Sequence, residues 1–388
     1  AVADSVHILF IIYRQMNAGK SRRDAIIESM EFNFQAVLLT SLTTVAGFLT
    51  MNFSDAPPFH DLGNIVAIGI AAAFFYSVFF LPALISLLPI SLKLKRYPWQ
   101  FRIMETIARL VMQHKTPIIL GSFIVVAGLG IGAIKNRLND NWINYFNENI
   151  PVRVATDVLE RRISGADYIE YHIRAGKPQG INDPEFLAHL DRFVQWLRAH
   201  PQVEQVTSIT DVMKKLNRVM HDEDQAWYRL PEQHELAAQY LLLYEMSLPY
   251  GLDLNRIINV DKSATRVIVI TKNLGTRALS NLDLEVQAWL KQNVPVFMAS
   301  QGTGISIIFA YLSERNIINM LTAAFVALLA ISTILIIAFR RFDIGMISLL
   351  PNIIPALLSF GLWGLLVGEI GLGLSVVVSL TLGILVDD

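Results

Sequence analysis

The sequence contains no cysteine, and charged residues make up only 17% of its 388 residues. The missing cysteines exclude disulfides, thiol chemistry and cysteine-ligated metal sites. A formal net charge of −1 argues against a nucleic-acid partner that is held by bulk charge. Hydrophobic residues, in contrast, make up 53% of the chain, and its mean hydropathy is +0.44. This composition predicts a polytopic α-helical membrane protein.

Both ends of the sequence lie in apolar, helix-like segments, and the chain lacks a start methionine and a basic leader. We therefore predict no signal peptide, and we expect the chain to be part of a longer protein.

Carboxylates occur inside the first and the last apolar segments, as Asp4 and as the pair Asp387 and Asp388. An acid at the centre of a bilayer helix costs about 2.5–3.5 kcal/mol on insertion scales, so it usually faces an interior and has a function. Burial and a like charge both make a carboxyl group hold its proton more tightly. We predict that these three acids form a proton relay. His7 lies three residues after Asp4 and shares its helix face, either as a relay member or as a polar residue near the interface.

Hydroxyl side chains are concentrated in the second apolar segment, at Thr40, Ser41, Thr43 and Thr44. They are candidates for lining a proton path, although bonding back to their own helix is the preferred interpretation. Pro351 and Pro355 are predicted to bend a later helix, with a hinge as the alternative.

Lys and Arg are concentrated in alternate loops, which predicts that these loops are cytoplasmic and that the long polar region lies on the far side of seven crossings. The predicted chain begins with the end of a spanning helix that carries an acidic motif (1–13). A cytoplasmic loop follows (14–33), with a short helix at 21–31 capped by Ser21, and then two spanning helices (34–89, split by a turn at 52–61). The remaining parts are a cytoplasmic amphipathic linker on the membrane surface (90–116), a spanning helix (117–134), a periplasmic porter-like domain (135–316) and three spanning helices (317–388).

The polar region reads as β-α-β, an insert, and β-α-β, the order of a ferredoxin-like, split β-α-β domain of the α+β class. The strands are predicted at 167–174, 202–209, 264–272 and 303–310, and the helices at 183–199 and 277–293, with insert helices at 211–220 and 232–247. Its five histidines lack metal-ligand spacing and are interpreted as surface residues. No phosphate-binding loop or hydrolytic arrangement is present in the sequence, so we predict no metal, no cofactor and no enzymatic activity.

Five stretches in this order are similar to the resistance-nodulation-division (RND) superfamily, and most of all to its MMPL-like and hopanoid-exporter-like branch. They are VADSVHIL (2–9), LTSLTTVAGF (39–48), LPAL (81–84), PNIIP (351–355) and GILVDD (383–388). Asp4 aligns with Asp388, so the chain covers about one period of a duplicated protein, in its middle. Ala3 stands where the family often has a second Asp. This difference argues against a relay with the same acids in both halves of the protein.

The resemblance implies an RND-type architecture and a proton-driven exporter of a hydrophobic or lipid-like molecule in the cell inner membrane. It also implies a homo-oligomer, dimer or trimer, and contact with membrane lipids. Two alternatives stay open: a membrane lipid receptor similar to the sterol-sensing relatives, and an accessory motor for protein secretion. An acidic pair on the last helix favours the exporter, because a receptor has no need to couple to protons.

Overall fold

The computed structural model describes residues 2–88, 98–249 and 254–385. The chain forms two compact units. We call residues 1–138 together with 315–388 the helical unit, and residues 139–314 the α/β unit.

The secondary structure is numbered along the chain. The helices are α1 (Val2–Asn17), α2 (Arg22–Leu49), α3 (Pro57–Phe75), α4 (Leu81–Leu87), α5 (Pro98–Gln113), α6 (Lys115–Ile134), α7 (Pro151–Arg162), α8 (Pro184–Arg198), α9 (Ile209–Val219), α10 (His234–Ser247), α11 (Thr276–Asn293), α12 (Ile305–Phe339), α13 (Phe342–Leu366) and α14 (Leu372–Leu385). The strands are β1 (Arg137–Leu138), β2 (Asp167–Arg174), β3 (Val203–Thr207), β4 (Ala264–Thr271), β5 (Gly302–Thr303) and β6 (Glu369–Ile370).

Five segments of the described chain are long and apolar enough to cross a membrane, which makes this a multi-pass membrane protein. They are Arg22–Phe53, Pro57–Leu87, Lys115–Ile134, Ile305–Phe339 and Gly345–Leu366. The two remaining predicted crossings correspond to α1 and α14, which have 16 and 14 described residues.

Helix α2 covers both the short helix predicted at 21–31 and the start of the span predicted from 34. The Ser21 side chain accepts a hydrogen bond from the Asp24 backbone N–H at 3.2 Å and caps the helix, as predicted. No glycine or proline follows until Gly47. Without a helix breaker the predicted surface helix and the predicted span are one continuous helix.

The second and third predicted spans are joined differently from the expectation. Proline is favoured in the first helical turn because its missing N–H has no partner there, and α3 begins at Pro57 rather than after the predicted turn at 52–61. A π-helical turn, Tyr76–Phe80, then separates α3 from α4. Such turns insert one extra residue and are frequent at functional sites.

Helices α6 and α13 pack with their backbones in contact through glycines. A Cβ atom added to Gly132 would lie 2.4 Å from the Gly361 carbonyl oxygen, and one added to Gly364 would lie 2.0 Å from that of Gly132. The Asn136 side chain donates to the Phe360 carbonyl at 2.8 Å. Beyond the helix ends, β1 pairs in parallel with β6.

The α/β unit contains a four-stranded sheet in the order β3-β4-β2-β5. β4 is antiparallel to both β2 and β3, and β2 is antiparallel to β5. Ile169, Tyr171 and Ile173 alternate along β2 and are fully buried. Residues of α8 and α11, including Leu190 and Val286, belong to the same core.

The predicted strand at 303–310 is wrong. β5 contains only Gly302 and Thr303, and α12 starts at Ile305. Gly304 has φ +108°, a left-handed conformation that ends the strand. Nearby, the fully buried Asp283 accepts hydrogen bonds from the Gly302 N–H and the Tyr311 hydroxyl, both at 2.7 Å.

Candidate functional site

Helix α1 carries Asp4 and lies against α2 and the segment that joins α3 to α4. Ile8 and Ile12 of α1 are fully buried and share a core with Val37 of α2, Val78 of the π-helical turn and Ile85 of α4. These apolar contacts fix the rotation of α1 about its axis.

Polar side chains add a contact between the same helices. The Ser29 hydroxyl of α2 donates to the Ile8 carbonyl of α1 at 2.8 Å. Within α2, Asn33 donates to the Ser29 carbonyl at 2.9 Å. The Ser5 and Ser77 hydroxyls lie 3.3 Å apart, so α1 also contacts the π-helical turn. No pattern in the sequence pointed to Ser29, Asn33 or Ser77 as site residues.

Asp4 is buried, with 7% of its surface exposed, and it lines a cavity of about 320 Å³ within the helical unit. Ser41 and Thr44 of α2 and Gly69 and Ala73 of α3 line the same cavity. A Cβ atom at Gly69 would meet no atom within 4 Å, so the small residues of α3 leave space beside the carboxyl group. The cavity therefore places one acid and two hydroxyls within a largely apolar wall.

Three of the four hydroxyls predicted to line a path bond back to their own helix. Thr40 donates to the Val37 carbonyl at 3.1 Å, Thr43 to carbonyls one turn back at 2.8 and 2.9 Å, and Thr44 to the Thr40 carbonyl at 2.7 Å. Ser41 is 8% exposed and lines the Asp4 cavity. Thr44 thus bonds to its own helix and also lines the cavity.

The other predicted site residues lie elsewhere. His7 is exposed on α1 and is not part of the cavity wall. Pro351 and Pro355 lie inside α13, which continues through both. Asp387 and Asp388 lie outside the described residues.

A second cavity in the helical unit, also about 320 Å³, lies among α6, α12 and α13. Its wall is apolar, and the residues that form it include Leu321, Phe325, Ile353, Leu357 and Phe360. Cavities with such walls accept hydrocarbon groups.

The histidines of the α/β unit (His172, His189, His200, His221 and His234) differ in their surroundings. His200 lies 3.2 Å from Glu285, His221 stacks on Trp227 with ring centroids 3.7 Å apart, and His189 contacts Arg192 at 2.6 Å. These three are partly buried, whereas His172 and His234 are exposed. Across the described ranges, no three His, Asp or Glu side chains are grouped so that they could hold a metal ion.

Residues 7–110 match the model of the MMPL family. A stretch of 107 residues is 30% identical to the hopanoid transporter HpnN of Rhodopseudomonas palustris (strain TIE-1). That stretch covers 27% of this chain and 12% of HpnN. The resemblance to the MMPL-like branch of the RND superfamily, predicted from the sequence, is confirmed by these matches.

The fold is similar to that of the hedgehog release protein Disp from the water bear Hypsibius dujardini, with a TM-score of 0.62 at 13% identity. The similarity covers 99% of this chain and 51% of Disp, so this chain spans about half the length of that relative. SecDF, a translocon-associated membrane protein from Thermus, superposes with a TM-score of 0.43 at 16% identity, over 98% of this chain and 40% of SecDF.

Proposed function

We propose that this chain is the central part of a proton-driven, MMPL-type transporter of the RND superfamily that exports a hydrophobic or lipid-like molecule. One observation carries the proposal: Asp4 is buried in a cavity between apolar helices. A buried acid within a membrane segment is costly and is retained where it has a function.

The cavity wall suits both protonation states of Asp4. A neutral carboxyl group donates one hydrogen bond, whereas a carboxylate only accepts. The hydroxyls of Ser41 and Thr44, which line the same cavity, have lone pairs and can also reorient. Each protonation state therefore favours its own hydrogen bonds and its own packing of α1 against α2 and α3. A proton gradient would shift the population between those packings.

The lipid-like substrate is supported by two findings. The MMPL match falls on the helical unit, and 107 residues of the chain are 30% identical to a hopanoid transporter. The apolar cavity among α6, α12 and α13 has the volume and wall chemistry for part of a hydrocarbon chain. We infer that this cavity receives substrate from the surrounding bilayer.

The α/β unit is proposed to be the periplasmic, porter-like domain of this transporter. Its sheet order and the placement of α8 and α11 support the ferredoxin-like, split β-α-β interpretation. The basic loops support a cytoplasmic position for the turn between α1 and α2 and for α5. We therefore propose an inner-membrane protein whose residues 135–316 lie in the periplasm.

The proposal is tested by Asp4→Asn in the intact protein, reconstituted into vesicles with an imposed proton gradient. We expect export of a fluorescent lipid analogue to fall to the level of vesicles without protein, because asparagine has the size of aspartate but does not titrate. The control is Asp61→Asn, the same change at an exposed position of α3, which should retain transport. Wild-type transport by Asp4→Asn would show that the relay proposal is wrong.

The same vesicles separate the exporter from the two alternatives. A lipid receptor would bind the analogue without moving it, whether or not a gradient is present. A secretion motor would not move the lipid analogue across the vesicle membrane. A strain that lacks the protein would instead show a defect in protein export.

A further inference from the structure

A pocket of about 290 Å³ lies in the α/β unit, at the end of β2 and beside the first turns of α8. Its floor is apolar: Phe186 and Met298 are buried, and the Phe297 ring is about half exposed. Gly176 has φ +78°, and a Cβ atom there would lie 3.2 Å from the Phe297 ring. The glycine thus lets the ring lie against the backbone and form a wall. We call this site the Phe297 pocket.

The rim of the Phe297 pocket carries charges of both signs. The Lys177 ammonium lies 2.8 Å from the Asp183 carboxylate. This hydrogen bond lowers the pKa of Asp183 and raises that of Lys177, so the pair stays fully ionised around neutral pH. Glu185 adds one negative charge to the rim, and Arg192, which contacts His189 but does not line the pocket, lies behind it. The lining therefore has no excess of positive charge, which disfavours an anionic ligand.

His189 presents a hydrogen-bond donor to the pocket. A guanidinium only donates, so the 2.6 Å contact from Arg192 makes His189 Nδ1 an acceptor and leaves the ring proton on Nε2. His189 Nε2 lies 3.9 Å from Glu185 Oε1, which is too long for a direct hydrogen bond. A hydroxyl group between the two would accept from Nε2–H and donate to the carboxylate. Neither an ammonium nor a phosphate dianion can do both.

We propose that the Phe297 pocket binds an uncharged, hydroxyl-bearing amphiphile, with its hydrocarbon against Phe297 and Met298 and a hydroxyl between His189 and Glu185. This inference deepens the proposed function by naming a substrate class for the α/β unit, and it depends on the lipid-like part of that proposal. The apolar floor distinguishes a lipid from a free polyol, because only the lipid has a chain to place there.

The test uses the whole chain in lipid nanodiscs at equilibrium, without a proton gradient. Three photoactivatable diazirine probes are compared: a short-chain alkyl polyol, the matching alkyl phosphate, and the polyol without its chain. Mass spectrometry locates the labelled peptides. We expect the alkyl polyol to label the peptides that contain Phe297 and the first turns of α8, with about tenfold less label from each of the other two probes.

Two variants examine the contacts. Phe297→Ala removes the apolar wall and should reduce labelling by the alkyl polyol about tenfold. Glu185→Ala changes a side chain that is 84% exposed, so it leaves the fold intact, and losing its hydrogen bond should reduce labelling about fivefold. The matched control is Val296→Ala, because Val296 is the neighbouring residue, is 91% exposed and lines a different cavity. Labelling should be unchanged in that control.

Three results would overturn the inference. They are equal labelling by the phosphate probe, labelling by the chain-free polyol alone, and labelling by the alkyl polyol that is unchanged in both variants. Binding is measured without transport, so the result is independent of Asp4. Failed labelling with Asp4-dependent export intact would reject only the pocket. Intact labelling with export that does not need Asp4 would reject only proton coupling.

Discussion

Asp167 shows how a single buried carboxyl group makes the stability of the α/β unit depend on pH. It begins β2, is 4% exposed, and its Oδ2 accepts a hydrogen bond from the Leu274 N–H at 3.1 Å. Burial raises the pKa of Asp167 above its usual range, and the bond from Leu274 only partly opposes this. The folded state therefore binds this proton more tightly than the unfolded state, whose aspartates titrate near about 3.9. The stabilising contribution of the proton is lost as the pH rises through the folded pKa.

We predict that Asp167→Asn gains stability relative to the wild type as the pH rises from about 4 to about 7. Asparagine does not ionise, and its side-chain oxygen still accepts from Leu274. The measurement is chemical unfolding of the whole chain in detergent, followed by tryptophan fluorescence at several pH values. Asp261→Asn, at an exposed turn, is the control and should show no such trend. A difference between Asp167→Asn and the wild type that does not change with pH would contradict the prediction.

The sequence was sufficient to select Asp4 but not its neighbours. A lone acid in an apolar segment is visible without a structure, because charge inside a membrane is expensive. Ser29 and Asn33 could not be recognised in this way, since they lie within or just after the charged stretch at 22–31 and look like part of a surface helix. Their burial depends on α1 packing against α2, which is a tertiary contact. Likewise, His7 has the helical spacing of a relay partner, but its side chain is exposed.

At the scale of elements, local pattern predicts a strand well when one face is buried. β2 has the predicted bounds because Ile169, Tyr171 and Ile173 alternate with polar residues. The predicted strand at 303–310 is wrong because the largely apolar run at 305–309 continues without a breaker into the rest of α12. A short apolar run of this kind does not distinguish strand from helix. The length of the continuous helix α12 identifies this run as helical.

The contact between α6 and α13 gives a prediction about helix packing. Gly132→Ala places a methyl group 2.4 Å from the Gly361 carbonyl oxygen, so the helices must separate. We expect a loss of about 1–3 kcal/mol in the free energy of unfolding. Gly128→Ala, one turn earlier on α6, is the matched control because a Cβ atom there meets nothing within 4 Å. Titration with a denaturing detergent measures both variants, and equal stabilities would show that this helix contact is absent.

At the scale of the whole molecule, the absence of cysteine allows sidedness to be measured directly. Single cysteines at Arg23, near the start of α2, and at Lys215, on α9, replace exposed side chains. In intact cells with a permeabilised outer membrane, a membrane-impermeant maleimide should label Lys215→Cys and not Arg23→Cys. Disrupting the inner membrane should make both react. Labelling of both variants before disruption, or of Arg23→Cys alone, would contradict the proposed orientation.

The parallel pair of β1 and β6 limits which helices can move. The two strands join the ends of α6 and α13 through backbone hydrogen bonds, one of them from the Arg137 N–H to the Gly368 carbonyl at 2.9 Å. Together with the glycine contacts, this prevents the two helices from sliding past each other. In the proposed transport cycle these two helices would move as a single rigid body. The rearrangement that follows the proposed proton uptake would then occur at the contacts of α1, where the Ser5–Ser77 hydroxyl contact and the π-helical turn are easier to rearrange.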